Sequence, residues 1–202
     1  GSGAQTKNVI STDVQAFING NSTISHLKEG DEQANKAGSV GILAQDRSAI
    51  DSHTEAVSLS AAIGLAGFSV SVGVGKAENE IANHVQAFVD SADINATNLK
   101  VKSYSLKPDK EDTEEPLNIH STVKAVSVAV TDFDALSGGG GKTSAHIQNT
   151  SQAYVDNSQI NLSSDLEVLA KDDFSGKTRM DGKSVSLAIY AAAAEGSKSK
   201  II

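Results

Sequence analysis

Cysteine and tryptophan are both absent from the 202 residues, and aromatic residues make up only 4% of the chain. The lack of cysteine excludes disulfide bonds, thiolate catalysis and cysteine-ligated zinc. It leaves the compartment open, because cytosolic proteins and bacterial surface proteins that cross an oxidising periplasm both avoid stray thiols. The scarcity of aromatic residues excludes a bulky central core, so the apolar content, which is mostly Leu, Ile, Val, Ala and Gly, favours thin layers of small side chains.

Positive charge is also in short supply, since 17 Lys and Arg face 25 Asp and Glu and the net charge is −8. A protein that neutralises the phosphates of DNA or RNA needs a basic patch or stripe. No Lys/Arg cluster supplies one locally. The sequence therefore predicts no nucleic-acid partner.

One uncharged run, residues 56–75, is long enough to suggest a membrane-spanning helix. Ser58, Ser60, Ser69 and Ser71 alternate with Val, Leu and Phe in this run, which is the period of a strand. We therefore predict strands here and no membrane insertion by this segment. The opening residues 1–3, Gly-Ser-Gly, are typical of an expression scar, and both ends are interpreted as cuts within a longer polypeptide.

Three segments share a short motif around a glutamine, and each is followed by a polar turn and an isolated isoleucine. The glutamines are 71 and then 66 residues apart. The segments are Val14-Gln15-Ala16-Phe17-Ile18, Val85-Gln86-Ala87-Phe88-Val89 and Ser151-Gln152-Ala153-Tyr154-Val155, and the isoleucines are Ile24, Ile94 and Ile160. The recurrence indicates an internal repeat with an irregular period.

Two further sets of residues recur in the same order within each repeat. The first comprises Val40/Ile42/Ala44, Leu99/Val101/Ser103 and Leu166/Val168/Ala170; the second begins at Ala56, Ala125 and Ser184. Three ordered sets that occur three times predict one domain over residues 4–202, built of repeats at about 9–79, 80–145 and 146–202.

The recurring segments alternate apolar with polar or small residues, and turn-forming Asn, Asp, Gly and Ser punctuate them. A strand of this kind buries its apolar face only by stacking on a copy of itself. The fold predicted is all-β, a right-handed parallel β-helix (β-solenoid), elongated and with loop insertions. At the usual 20-odd residues per coil, each repeat would supply about three coils, and about nine coils would form a rod about 40 Å long.

The differences in repeat length concentrate in two polar inserts, residues 25–39 and 106–118. The second insert is acidic and carries both prolines of the chain, Pro108 and Pro116. Long inserts on a rigid scaffold commonly carry recognition. We predict a partner-binding loop formed by Asp109, Glu111, Asp112, Glu114 and Glu115. The calcium-binding loop patterns are missing from the insert, so a solvated loop is the other interpretation.

The run from Ala87 through Val101 and its counterpart from Ala153 through Ala170 resemble repeats of large bacterial exoproteins of the filamentous-haemagglutinin and leukotoxin type. The resemblance implies right-handed parallel β-helices exported by two-partner secretion or as autotransporter passengers. It implies an adhesin or cytotoxin-like surface protein, secreted or at the bacterial cell surface. Its expected partner is a host-cell or extracellular surface ligand, protein or glycan, and exposed end coils predict end-to-end self-association.

The run from Ser137 to Thr143, Ser-Gly-Gly-Gly-Gly-Lys-Thr, is similar to a phosphate-binding loop. It misses the pattern by one residue, because Leu136 occupies the place of the first glycine. We predict a flexible loop between coils and no nucleotide cofactor. The histidines His26, His53, His84, His120 and His146 are scattered singly without metal-ligand spacing, so no metal site is predicted.

The enzymatic alternative is a polysaccharide lyase or hydrolase, since β-helices also host such activities. Paired carboxylates beside a sugar-stacking aromatic ring would be needed. Asp132 and Asp134, near Phe133, are the pair to nominate, although adjacent loop carboxylates are commonly turn formers. The sequence favours a non-enzymatic segment that extends and presents binding surface, and a passive structural spacer is the third interpretation.

Overall fold

The computed structural model describes residues 1–25, 37–62, 68–109, 117–131, 134–187 and 190–201. Within these ranges the regular structure is entirely β-strand, so the prediction of an all-β protein is confirmed. The same ranges contain no helix that is long and apolar enough to cross a membrane.

The strands follow one another with short connections apart from the two predicted inserts. They are β1 (Ser2–Ile10), β2 (Asp13–Ile18), β3 (Thr23–Ile24), β4 (Ala37–Asp46), β5 (Ile50–Ala62), β6 (Phe68–Ile81), β7 (His84–Asp90), β8 (Asp93–Ser105), β9 (Ile119–Thr131), β10 (Asp134–Ile147), β11 (Thr150–Asp156), β12 (Gln159–Leu162), β13 (Leu166–Asp172), β14 (Gly176–Leu187) and β15 (Tyr190–Ile201).

Each of these strands pairs in parallel with a strand about one repeat earlier or later in the chain, and the pairs form four sheets. The first sheet has the order β1-β6-β10-β15, the second β2-β7-β11 and the fourth β5-β9-β14. In the third sheet β8 lies centrally, with β3 and β4 on one side and β12 and β13 on the other. We call β1–β5, β6–β9 and β10–β14 the first, second and third layers.

Strand register confirms the alignment of the glutamine motif residue by residue. Gln86 pairs with Gln15 on one side and with Gln152 on the other. Ile94 lies between Ile24 and Ile160 in the same way. Val40, Leu99 and Leu166 also form one column, so two of the three aligned sets are correct.

The remaining aligned set is wrong by two residues in the third layer. Ala56 pairs with Ala125 as predicted, but Ala125 pairs with Gly182 and not with Ser184. Side chains of a strand alternate with a period of two, so a shift of two residues keeps every side chain on the same face. Matching of apolar patterns alone therefore does not distinguish the two registers.

The prediction of three coils within each repeat is also wrong. One passage of the chain through all four sheets takes up a whole repeat, because strands of the first sheet reach 14 residues and strands of the fourth sheet reach 13. Three layers at about 4.8 Å each place the first and third only about 10 Å apart. The segment is therefore a thin slab that is wider than its stacking height, and not an elongated rod.

The interior has two regions of different chemistry. Between the second and third sheets lies an apolar core, with completely buried side chains that include Val85, Val89, Ile94, Leu99 and Val101. Between the first and fourth sheets the interior is thin and filled mainly by Ser, Ala, Gly and Thr. The second region has the thin layer of small side chains that composition predicts, whereas the first is a thicker core of larger aliphatic side chains.

The corners between sheets are held by buried asparagines and by left-handed residues. Asn83 donates through Nδ2 to Asp46 and to the hydroxyl of Ser48, and its Oδ1 accepts from the backbone N–H of Thr12. At the corner after the glutamine motif the φ angles of Asn21, Ser91 and Asn157 are 59°, 54° and 45°. The left-handed conformations therefore fall on Asn and Ser, two of the turn-forming residue types predicted to punctuate the strands.

Candidate functional site

The acidic insert leaves the slab next to the end of β4. Asp109, its first acidic residue, is largely exposed and forms an ion pair with Arg47. Glu111, Asp112, Glu114 and Glu115 lie outside the described residues. The predicted partner-binding loop therefore stays a prediction. The ion pair between Asp109 and Arg47 contributes little to stability, because both side chains are exposed to solvent.

The glycine run is not a loop, which corrects the interpretation given above. Residues 137–143 lie inside β10 and pair with β6 throughout. A Cβ at Gly139 would lie 2.6 Å from the carbonyl oxygen of Lys183, and one at Gly141 would lie 2.5 Å from that of Gly75. Glycine is required at these positions because two strands approach closely, and not because a phosphate is cradled.

Of the two carboxylates nominated for hydrolysis, only Asp134 lies within the described residues. Asp132 and Phe133 lie outside the described residues. Asp134 is the exposed first residue of β10, and its neighbours in register are Phe68 and Tyr190. Neither neighbour is a carboxylate, so register gives Asp134 no partner for general acid and base chemistry.

Two of the histidines, His53 and His120, lie on the outer face of the fourth sheet in neighbouring columns. His84 and His146 lie in different sheets, and His26 lies outside the described residues. His84 lies 3.7 Å from Asp13 and His120 lies 3.5 Å from Asp51, so each faces a carboxylate of the first layer. Among the described residues there is no group of three His, Asp or Glu side chains placed to hold a metal ion.

A groove of about 710 Å³ runs across the outer face of β5, β9 and β14. It is lined by His53, Leu117, His120, Thr122, Lys124, Lys177, Arg179 and Asp181. The strands place these side chains outward because the intervening residues, such as Ser52, Ser121 and Val123, are buried. The volume is in the range of pockets that hold small ligands.

Residues of both charge signs lie in and beside the groove. One column joins Asp51, His120 and Lys177. Another column on the same face joins Glu55, Lys124 and Asp181, so a cation lies between two carboxylates. Such mixed charge offers donors and acceptors side by side, which suits a hydroxyl-rich or peptide ligand better than a polyanion. In the third layer Arg179 donates through Nε to both Asp181 oxygens, at 3.1 and 3.3 Å.

A second ordered surface lies on the outer face of β2, β7 and β11. Phe88 stacks on Phe17 and on Tyr154, with ring centroids 5.1 and 5.0 Å apart. Beside the rings Gln15 donates to Gln86, and Gln86 donates to Gln152. The middle ring, Phe88, is covered on both faces by its neighbours. This ladder stabilises stacking between layers.

Two ionisable groups with shifted pKa values lie outside the groove. The hydrogen bond from Lys76 to Glu78, at 2.7 Å, lowers the pKa of that glutamate. The hydrogen bond to Glu167 of the next layer raises the pKa of Lys102. Both side chains form surface ion pairs, which accounts for the shifts without a catalytic role.

Sequence reasoning missed both the groove and the ladders. The lining residues of the groove come from strands about 60 residues apart, and they become neighbours only once the register is known. A signal was present for the ladder, because the aligned motif puts Phe17, Phe88 and Tyr154 at the same position.

Comparison with known proteins adds no further guide, since no family model, curated protein or solved structure matches the chain. The function must therefore be inferred from the fold and its surfaces.

Proposed function

We propose that this chain is a non-enzymatic section of a bacterial secreted or surface exoprotein, an adhesin or cytotoxin-like protein of the filamentous-haemagglutinin and leukotoxin type. Its fold is proposed to be a right-handed parallel β-solenoid that presents binding surface to a host-cell or extracellular ligand. Right-handedness follows the strong preference of parallel crossover connections.

The single observation that supports this proposal is the in-register return of the chain to the same four sheets. Each sheet receives a strand from every layer, and identical residues stack in columns such as Gln15, Gln86 and Gln152. A stack of this kind extends by addition of further layers, and its outer faces stay available for recognition. This geometry suits extension and presentation.

The position of the inserts supports a binding role over a passive spacer. One insert falls between β3 and β4, which both pair with the continuous strand β8, and the other falls between β8 and β9; pairing with β8 resumes after the first insert. Leu117, at the end of the second insert, lines the groove on β5, β9 and β14. The chain therefore enters the groove directly after the acidic insert, and we propose that the ligand binds there.

The test is a binding screen on immobilised glycans, matrix proteins and host cells. One variant replaces residues 110–116 by a Gly-Ser linker of equal length, and a second carries Lys177→Ala and Arg179→Ala in the groove. As a matched control, Lys100→Ala removes an exposed lysine from the outer face of β8. Loss of binding in both test variants but not in the control is expected.

Three other results would redirect the proposal. Retained binding in both test variants would exclude this surface. No binding by the parent chain to any ligand would favour the spacer. Release of reducing sugar or of unsaturated products from a polysaccharide would favour the lyase or hydrolase.

The open ends of the stack support a further partner, a second copy of the chain. β5 and β14 are edge strands of the fourth sheet, and β2 and β11 are edge strands of the second. Unpaired edges promote end-to-end association. We propose weak self-association, measured as a rise in scattering mass with protein concentration.

A further inference from the structure

At one end of the first and fourth sheets, polar side chains point inward and apolar side chains point outward. Between β5 and β6 the interior is lined by serine hydroxyls that bond to one another: Ser69 donates to Ser60 at 2.8 Å, and Ser71 donates to Ser58 at 2.9 Å. Ser71 is completely buried. At this end of the two strands the inward serine side chains are therefore hydrogen-bonded inside the sheet pair.

The apolar side chains of the same strands point outward. Leu59 is 73% exposed and Phe68 is 62% exposed. We define the hydrophobic rim as Val57, Leu59, Phe68, Val70, Val130 and Leu136, all of which lie near the end where β5 is followed by β6 and β9 by β10. A patch of large apolar side chains in water is unfavourable, and such patches mark binding sites for proteins or membranes.

Both outer faces of the sheet pair are apolar at this end. Val57, Leu59 and Val130 lie on the outer face of the fourth sheet. Phe68, Val70 and Leu136 lie on the outer face of the first sheet, which packs against the fourth. A protein partner with one flat contact surface would cover one of these faces, whereas the surface of a bilayer surrounds both.

Three lysines lie on the same two outer faces, about 20 Å along the strands from the rim. Lys76 and Lys142 pair in register on the first sheet, one alternation beyond Val74 and Gly140. Lys124 is in the matching position on the fourth sheet, one alternation before Val126. Lys76 is paired with Glu78, and Lys124 lies between Glu55 and Asp181, so these charges are largely balanced and the attraction of the rim to a bilayer must be apolar.

We propose that the hydrophobic rim adsorbs to the surface of a lipid bilayer. The open edges limit its depth, because β5 lacks a strand on its outer side and residues 68–72 of β6 extend beyond the register of β1. Unpaired backbone groups are costly in hydrocarbon, so the rim enters only the headgroup and acyl boundary, about 5–10 Å deep. This differs from a membrane span, and it does not depend on the exoprotein proposal.

Asp134 opposes deeper entry, since it is exposed beside Phe68 in register. A carboxylate at the rim must stay hydrated, which favours shallow adsorption. Its removal gives a variant with an effect of opposite sign: Asp134→Asn is expected to strengthen adsorption.

The absence of tryptophan allows a direct test. Phe68→Trp places a single fluorophore on the rim, and Phe17→Trp places one on the outer face of β2, where the side chain is half exposed in the same way. Vesicles of phosphatidylcholine with brominated acyl chains are then added. We expect a blue shift and bromine quenching at position 68 and neither at position 17. No response at either position, or an equal response at both, would overturn the proposal.

A second pair of variants tests the apolar contact. Leu59→Ser in the Phe68→Trp background is expected to lower co-sedimentation with vesicles about tenfold. Leu43→Ser, at an exposed leucine on the outer face of β4, is the matched control and should leave it unchanged. Equal loss in both variants would contradict the rim. A blue shift at position 68 that needs no vesicles and grows with protein concentration would instead assign the rim to a second copy.

Discussion

The middle and third layers place equivalent residues in different surroundings. Leu99 and Val101 of β8 are completely buried, whereas Leu166 and Val168, their partners in β13, are 52% and 42% exposed. The residues have the same type and the same inward direction. The difference shows that burial is provided by the neighbouring layers and not by the side chain alone.

Stability should therefore be concentrated in the middle layer. Its strands have partners on both sides, and its inward residues contact layers above and below. The outer layers each lack one neighbour over most of their length, so local opening should begin there. Matched substitutions in the two kinds of layer measure this difference.

The largest effect is expected from core truncation. Leu99→Ala should lower the free energy of unfolding by about 2–5 kcal/mol, because it removes a buried side chain and leaves a cavity. Leu166→Ala should cost less than about 1 kcal/mol, since much of that side chain already contacts water. Urea denaturation followed by circular dichroism measures both, and equal losses would show that the layers do not differ.

A smaller effect is expected at the asparagine corner. Asn83→Ala removes the partner of Asp46, Ser48 and Thr12, and we expect a loss of about 2–3 kcal/mol. Asn149→Ala should cost about 1 kcal/mol, because its Nδ2 has no hydrogen-bond partner and it only accepts from the backbone of Asn83. Thermal unfolding of the two variants compares them, and a larger loss at position 149 would contradict the assignment.

Close packing of the sheets gives the next contrast. Gly73→Ala would place a Cβ 2.7 Å from the carbonyl oxygen of Val126, so we expect a loss of about 1–3 kcal/mol. Gly3→Ala in the first layer meets only an ordinary contact at 3.8 Å and should be nearly neutral. The urea midpoints of the two variants report the difference, and an equally tolerant Gly73 would show that the sheets can separate.

The smallest effect is expected from the ion pair between layers. The pKa of Lys102 is raised by Glu167, so its stabilisation is complete below the ordinary lysine pKa and is lost as the pH rises through the raised value. Lys102→Met should therefore lower stability slightly at pH 7, where the pair is fully formed, and flatten the alkaline arm, where the wild-type chain loses the pair. An unchanged alkaline arm in thermal unfolding would exclude a contribution from this pair.

Strand pairing was predictable from the sequence where the same short motif recurs in each repeat. Gln86 and Leu99 identify their partners because the flanking residues also match. The register near Gly182 was not predictable, since a shift of two residues preserves the alternation. The number of coils per repeat was predicted wrongly because strand length depends on where the chain turns, and residues such as Asn83 fix a turn through contacts with distant Asp46.

The candidate surfaces were less predictable than the fold. The sequence shows that Ser58 and Leu59 point in opposite directions, but composition suggests that the leucine faces inward. The structure places the serine inside, because Ser71 of the facing strand offers it a hydrogen bond and the strands lie too close for larger side chains. Whether the polar or the apolar face of a strand points inward depends on the sheet that faces it, and the alternation along one strand does not specify that sheet.

The last strand sets a condition for polymer growth. β15 pairs with residues 134–145 of β10, while β1 of another copy continuing the same register would need residues 139–147. The two strands compete for one edge, so a second molecule can complete the stack only by exchange, with one of the strands peeled away. Growth into fibres would then carry an activation barrier, and shortening the chain at either terminus would remove it.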